Sequence, residues 1–378
     1  MNDINFLSLI MKKIHDKRPR LSIKETSYNR IEQTKAGCSA NVWFMTKGCQ
    51  WDSVGGCTMC NYGRGFELNE QEIINAVKQG LSALPKDVSE LFLSPSGSLI
   101  DPQEVPPIVR QEIYKLINKH STDYFAFETR AEFINKEALD EIKRMISNKN
   151  IGIEIGLESA NPWIRKFCIN KGNQLEDFIN AAQLIKKYDF ECLANVSLGT
   201  AFLTPREALS DAVNSSRWAL ENGAHTVVLF PMHVKPYTLL EWLYKKGYYN
   251  PPTLWMFIEA LYNIGPENIN NIDISWYKSG YSDESKIIAS PDSCDKCKPT
   301  VYNLLDKYRK TRDFDIVYKL HNFKCACKQM EDEATELQKP LKERIFEIYS
   351  ILAEDFELTH WFKDNRNKLM EQMEAISC

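Results

Sequence analysis

From residue 41 to about 232, short apolar runs alternate with longer stretches whose apolar positions recur at helical spacing. The runs predict strands over 41–47, 89–94, 124–129, 151–156, 192–199 and 225–231. The stretches between and after them predict helices near 69–82, 103–119, 135–148, 175–188, 205–222 and 238–246. In the third helix Ile134, Ala138, Leu139, Ile142, Met145 and Ile146 form one apolar stripe. Asn173 and Thr204, each three residues before a glutamate (Glu176, Glu207), read as helix caps, and Pro205 suits a first turn. The strands read as nearly all-apolar, as expected when helices cover both faces of a parallel sheet. Six strand–helix units without a clear seventh predict an α/β fold, a partial (β/α)6 TIM-like barrel. Chemistry in such barrels gathers at the carboxyl ends of the strands.

The flanks read differently. Residues 1–40 form a lead-in in which Lys12, Lys13, Lys17, Arg18, Arg20 and Lys24 face only Asp16. That is a basic arm, either solvated or touching a polyanion. The barrel is expected over 41–265, and a C-terminal Cys-rich, mostly helical domain over 266–378. Pro266 to Tyr281 is polar and irregular, a lid or linker, and the last forty residues carry an amphipathic pattern at Ile345, Ile348, Ile351, Leu352 and Phe356. Over 378 residues, 43% hydrophobic and 26% charged content is that of a globular protein. No apolar run approaches the ~18–20 residues of a membrane span, and no long apolar core of a signal peptide opens the chain. A net charge of −4 argues against a broadly basic nucleic-acid binder but leaves room for a local patch. Eleven cysteines, most in short-spaced groups, point to metals in a reducing cytosol rather than to disulfides.

The first group is Cys49, Cys57 and Cys60, on a glycine-rich loop directly after the first predicted strand. Three thiolates can hold three irons of a [4Fe-4S] cluster and leave the fourth iron open to an outside ligand. A zinc site would want a fourth ligand nearby, and Cys38 lies before the strand. A zinc loop and chance clustering of buried thiols remain the alternatives. The second group is Cys294 and Cys297, then Cys325 and Cys327. Two close pairs of soft thiolates separated by a helix-length spacer predict one closed metal site, zinc before a second iron–sulfur cluster. Cys38, Cys168, Cys192 and Cys378 are read as unliganded.

The loop Thr46-x-Gly48-Cys49-x-Trp51, followed by Gly55-Gly56-Cys57-Thr58-Met59-Cys60 and Tyr62, resembles the radical S-adenosylmethionine (SAM) superfamily. Within it, the loop looks like the radical SAM subunits of archaeosine synthase, the RaSEA family. The resemblance extends over about 41–330, through Thr238, Pro251-Pro252 and the late cysteines. It implies that Ser96, Gly97 and Ser98, after the second strand, grip the methionyl end of SAM. Glu128 and Arg130 end the third strand, Glu158 the fourth, and Asn195 and Ser197 lie in the fifth; all are candidate SAM contacts. His233 and Lys235, after the sixth strand, are candidate substrate contacts, with a backbone-satisfied loop histidine as the other reading of His233.

The resemblance further implies a 5′-deoxyadenosyl radical that fragments a lysine attached to a 7-deazaguanine of tRNA. It also implies an electron donor of flavodoxin or ferredoxin type and a separate lysine-transferring subunit. Two alternatives are a radical SAM enzyme acting on a peptide or small metabolite, and a non-catalytic iron–sulfur scaffold subunit.

Overall fold

The computed structural model describes residues 5–19, 26–63, 65, 68–278, 287–328 and 339–376. One eight-stranded sheet organises the chain, in the order β1 (Ser27–Thr34), β2 (Gly37–Phe44), β3 (Glu90–Pro95), β4 (Tyr124–Thr129), β5 (Asn150–Glu158), β6 (Glu191–Leu198), β7 (Thr226–Pro231) and β8 (Ile272–Ile274). β1 runs antiparallel to β2, and every later neighbour is parallel. The six predicted strands are present. The two at the edges were not anticipated: β1 lies in the expected lead-in and β8 in the expected lid. β1 is short on apolar residues because one face looks into the barrel, and β8 is only three residues long.

The helices are α1 (Phe6–His15), α2 (Gln50–Ser53), α3 (Glu70–Ser82), α4 (Pro107–Lys119), α5 (Lys136–Met145), α6 (Pro162–Ile164), α7 (Leu175–Lys187), α8 (Pro205–Glu221), α9 (Leu239–Lys245), α10 (Leu254–Ile264), α11 (Lys298–Thr311) and α12 (Phe314–His321), followed by helices Leu341–Asp355 and Thr359–Ala375. Local signals set their starts. Thr204 accepts from the Glu207 amide while Glu207 bonds back to the Thr204 amide, and Pro205 occupies the first turn of α8. Asn173, expected to cap α7, does not. Gln174 and Asp177 form that box, while Asn173 accepts from Arg165 and donates to Glu132.

The strands are not uniformly apolar. β5 reads Ile-Gly-Ile-Glu-Ile-Gly-Leu-Glu from residue 151, and Ile151, Ile153, Ile155 and Leu157 face outward into the helical layer, fully or almost fully buried. Glu154 and Glu158 face inward and line the barrel interior. β4 repeats the pattern, with Phe125 and Phe127 outward and Glu128 inward, opposite Glu154. Each outward side chain contributes about 1.5–3 kcal/mol by leaving water, so the shell between sheet and helices is the core.

A second apolar cluster covers the carboxyl-end side. Phe6 of α1 packs against Tyr349, Trp361 and Phe362 of the last two helices, with ring centroids 4.8–5.6 Å apart. The lead-in is therefore a docked amphipathic helix rather than a solvated arm. Arg18 is engaged by Asp52, and Arg20 and Lys24 lie outside the described residues. The last forty residues pack on the barrel as expected, with Tyr349 donating to the Phe167 carbonyl. Among the described residues no helix is long and apolar enough to cross a membrane.

Candidate active site

The cysteine loop sits at the carboxyl end of β2, and the fold pins it on several sides. Gly48 has φ +93, and a Cβ there would meet the Gly63 Cα at 2.8 Å, so the loop's entry and exit cross at backbone contact. The long gap between Cys49 and Cys57 folds as α2, whose buried Asp52 pairs with Arg18 and lies 3.5 Å from His15. The Thr58 amide donates to the Ile169 carbonyl, the Thr58 carbonyl accepts from the Leu239 amide, and Asn61 donates to the Pro236 carbonyl. The indole of Trp51 donates to the Asn170 carbonyl. A group bound here is held by backbone fixed in four places.

Beside the loop lies the turn after β3. A Cβ on Gly97 would meet Cys49 backbone atoms at 2.8 Å, so only glycine allows this approach. Buried Glu104 staples the two segments, accepting from the Thr46 hydroxyl and the Ser98 amide. Burial lifts its carboxyl to about 7. Asp101 adds a second staple by accepting from Gln50.

These elements open into a cavity of about 640 Å³ running down the barrel interior. Its lining gathers Cys49, Cys57, Cys60, Ser96, Gly97, Glu128, Arg130, Glu158, Asn195, His233 and Lys235. Two expected residues are not in it. Ser98 is buried against the Thr129 hydroxyl, and Ser197 donates to the Glu158 carbonyl. Both brace strand ends rather than face the chamber.

Glu158 ends β5 at a bulge with φ 67. One carboxylate oxygen accepts from Lys171 at 3.2 Å, and Oε2 is buried with no partner among the described residues. An unpaired buried acceptor costs about 1–3 kcal/mol, which a donor on a bound molecule would recover. Deeper in, burial lifts Glu128 to about 7, and burial together with the neighbouring Glu128 lifts Glu154 to about 8.

His233 is 3% exposed and committed on both sides. Its Nε2–H donates to the Trp276 carbonyl at 2.5 Å and Nδ1 accepts from Ser290 at 3.1 Å. Neither nitrogen is left for substrate chemistry. Burial lowers its pKa to about 4. Because the folded value lies below the unfolded ~6.5, stability is complete above pH ~6.5 and falls as pH drops toward 4. The neutral ring's contribution is on the order of 3 kcal/mol. A His233→Asn chain should lose less stability than wild type between those pH values in urea titrations. Lys235 donates to the Tyr62 hydroxyl at 2.9 Å and lies over the Tyr62 and Trp276 rings at 4.2 and 5.1 Å.

The donor sets fit different groups. Burial pushes the Cys57 thiol to about 11 and Cys60 to about 12, so both need a bound metal to persist as thiolates near neutral pH. Cys294, Cys297, Cys325 and Cys327 are gathered with all ligand atoms within 4.8 Å of one another. The late sulfurs stand 3.4–3.7 Å apart where paired. A single tetrahedral ion with metal–sulfur bonds of about 2.3 Å puts sulfurs about 3.8 Å apart. The late set therefore fits one ion, and the three thiols that open into one cavity fit a group taking three protein ligands, such as a [4Fe-4S] cluster.

Sequence reasoning missed Asp52 with Arg18, Glu104, Glu154 and Trp276. The inward-facing glutamate was visible in the alternation of β5; the others depend on contacts between distant segments.

No protein-family model matches the chain. A protein named archaeosine synthase subunit beta, from Methanosarcina acetivorans, is 27% identical over 343 residues, 86% of this chain and 96% of that protein. The chain is similar to archaeosine synthase beta subunits. A second beta subunit, from Thermococcus kodakarensis, is 29% identical over 60% of this chain and 72% of its own length. An uncharacterized protein of Methanocaldococcus jannaschii is 29% identical over 80% of this chain and 83% of its own. Among solved structures, an N-terminally truncated Elp3 from Methanocaldococcus infernus aligns with TM-score 0.44 at 17% identity, over 63% of this chain and 58% of that one. Methylornithine synthase aligns with TM-score 0.41 at 14% identity, over 86% and 91%.

Proposed function

We propose that this chain is a radical SAM enzyme, with a [4Fe-4S] cluster on Cys49, Cys57 and Cys60 and SAM in the adjoining chamber. The observation that carries the reading is the shared cavity. Three cysteines outside any disulfide open into the same space as Ser96, Gly97 and the buried, unpartnered Oε2 of Glu158. When bound, the cluster and SAM supply a 5′-deoxyadenosyl radical that takes a hydrogen atom from substrate. The chain's own residues bind, orient and exclude water. Gly97 lets the turn approach Cys49, so the methionyl end of SAM would lie against Ser96 and Gly97. Glu158 Oε2 would accept from a ribose hydroxyl or the α-amino group. Asn195, which bonds Glu154, would border the adenosine. Lys235 stands at the mouth as the substrate contact, while His233 holds the wall formed by Trp276.

For the substrate, similarity to archaeosine synthase beta subunits supports a tRNA 7-deazaguanine carrying a lysine adduct, fragmented by lyase chemistry in the cytoplasm. A partner subunit would transfer the lysine, and a flavodoxin or ferredoxin would supply the electron. The late cysteines would hold zinc.

Anaerobically reconstituted protein should release 5′-deoxyadenosine when given dithionite and SAM, and lysine-adduct tRNA should raise that yield. No release under any of these conditions would favour a scaffold subunit. Release indifferent to tRNA would move the substrate to a peptide or metabolite. Lys235→Ala should lower turnover more than tRNA binding if Lys235 contacts the reacting group.

A further inference from the structure

Arg130 follows β4 and turns toward the cysteine loop. Its Nη1 donates to the Cys49 sulfur at 3.5 Å. Its Nη2 pairs with Glu132, and the guanidinium carbon lies 5.9 Å from the Phe133 ring centroid. The two terminal nitrogens are thus already divided between a sulfur and a carboxylate. A ligand carboxylate would have to share the guanidinium with both, drawing on its remaining N–H groups.

Arg130 is also not alone. Lys171, held by Glu158, and Lys235, held by Tyr62 two residues beyond Cys60, stand around the same loop. Of the three cations, Arg130 is the one the structure records donating to a cysteine sulfur.

We propose that Arg130 is a positioning residue for electron transfer, raising the reduction potential of the iron–sulfur centre through its hydrogen bond to Cys49 rather than clamping SAM. This rests on the assignment of the cysteine loop to a [4Fe-4S] cluster. The physical basis is charge. One electron from an external low-potential donor of flavodoxin or ferredoxin class converts the cluster from the 2+ to the 1+ state. No bond forms or breaks at Arg130 and no proton moves. The added negative charge spreads onto the cysteine sulfurs, where a positive N–H donor stabilises it more than it stabilises the oxidised state. Glu132 opposes the effect by neutralising part of the guanidinium charge. Its other oxygen accepts from Asn173, so the acid is itself fixed in place. The Arg130–Glu132 pair then sets the potential between two limits.

The two residues predict shifts of opposite sign. Wild type, Arg130→Gln and Glu132→Gln would be reconstituted anaerobically and their iron and sulfide counted. Each would then be titrated potentiometrically without SAM, with the reduced cluster followed by EPR. Arg130→Gln is expected to move the midpoint to more negative values and Glu132→Gln to more positive ones. SAM affinity of oxidised Arg130→Gln should stay close to wild type. An unchanged midpoint in Arg130→Gln together with lost SAM affinity overturns the proposal and restores a SAM clamp. If Arg130→Gln assembles no cluster, Glu132→Gln decides alone, and an unchanged midpoint there overturns it. Failure of the wild-type protein to take up a cluster would instead reject the reading of the cysteine loop, and the inference with it.

Discussion

A Cys57→Ala chain is expected to show no [4Fe-4S] absorption after anaerobic reconstitution and to release no 5′-deoxyadenosine with dithionite and SAM. The loop supplies three thiolates to four irons, and removing one leaves two protein anchors for the whole cluster. No replacement ligand stands ready. Of the other early cysteines, Cys38 is buried at the far end of β2, and Cys168 is buried in the apolar cluster beneath the loop. The loop backbone should survive, because Thr58 and Asp52 are pinned by contacts that do not involve the Cys57 sulfur. Loss of the cluster with an unchanged far-ultraviolet spectrum, and a thermal midpoint matching that of cluster-free wild-type protein, is therefore expected. SAM cleavage that persists in this variant would remove the basis for assigning the loop.

Cys297→Ser is expected to lose one equivalent of a single metal ion and to loosen the barrel along one side. Cys297 caps the amino terminus of α11, and Trp255 steadies the site by donating to Cys327 at 3.0 Å. Further along α11, Arg309 pairs with Glu32 of β1 at 2.8 Å. Just past its end, Arg312 pairs with Asp273 of β8 at 2.7 Å. β1 and β8 are the two sheet edges and do not pair with each other, so α11 bridges a gap the strands leave open. Structural zinc binds small peptides with about 10–16 kcal/mol, part of which is folding energy of the segment its ligands tie together. Hydrogen exchange should accelerate in β1, β8 and α11 well before it does in β4 and β5. Metal analysis of a Cys49/Cys57/Cys60 triple alanine variant separates the identities: residual zinc is expected, and residual iron with sulfide would show a second cluster.

The six inner strands and the helices between them were legible because their outward faces carry unbroken apolar stripes, as at Ile151, Ile153 and Ile155. The gathering of the four late cysteines, and of the early three around one cavity, was legible because thiol spacing along the chain constrains which atoms can meet. The reading failed where one residue answers to a distant one. β1 was hidden because Arg30 and Glu32 face a polar cavity, and β8 because three residues are too few to show a period. Asn173 has the right spacing for a cap, yet Arg165 and Glu132 take its polar atoms. His233 was open in sequence between a substrate contact and a backbone-satisfied histidine, and the partners that favour the second come from segments 43 and 57 residues away, beyond any local pattern.

Because the apolar shell lies outside the sheet, the chamber's polar side chains, the Arg309–Glu32 and Arg312–Asp273 pairs at its open edge excepted, contribute little to holding the barrel together. Exchanging an inward residue such as Glu154 or Asn195 opens no void in a close-packed core, unlike the loss of Ile153 or Phe127, where large-to-small changes cost about 2–5 kcal/mol. The chamber can therefore drift through many sequences at nearly constant foldability. Related chains should diverge fastest in what they accept, and slowest in the outward stripes that no substrate ever touches.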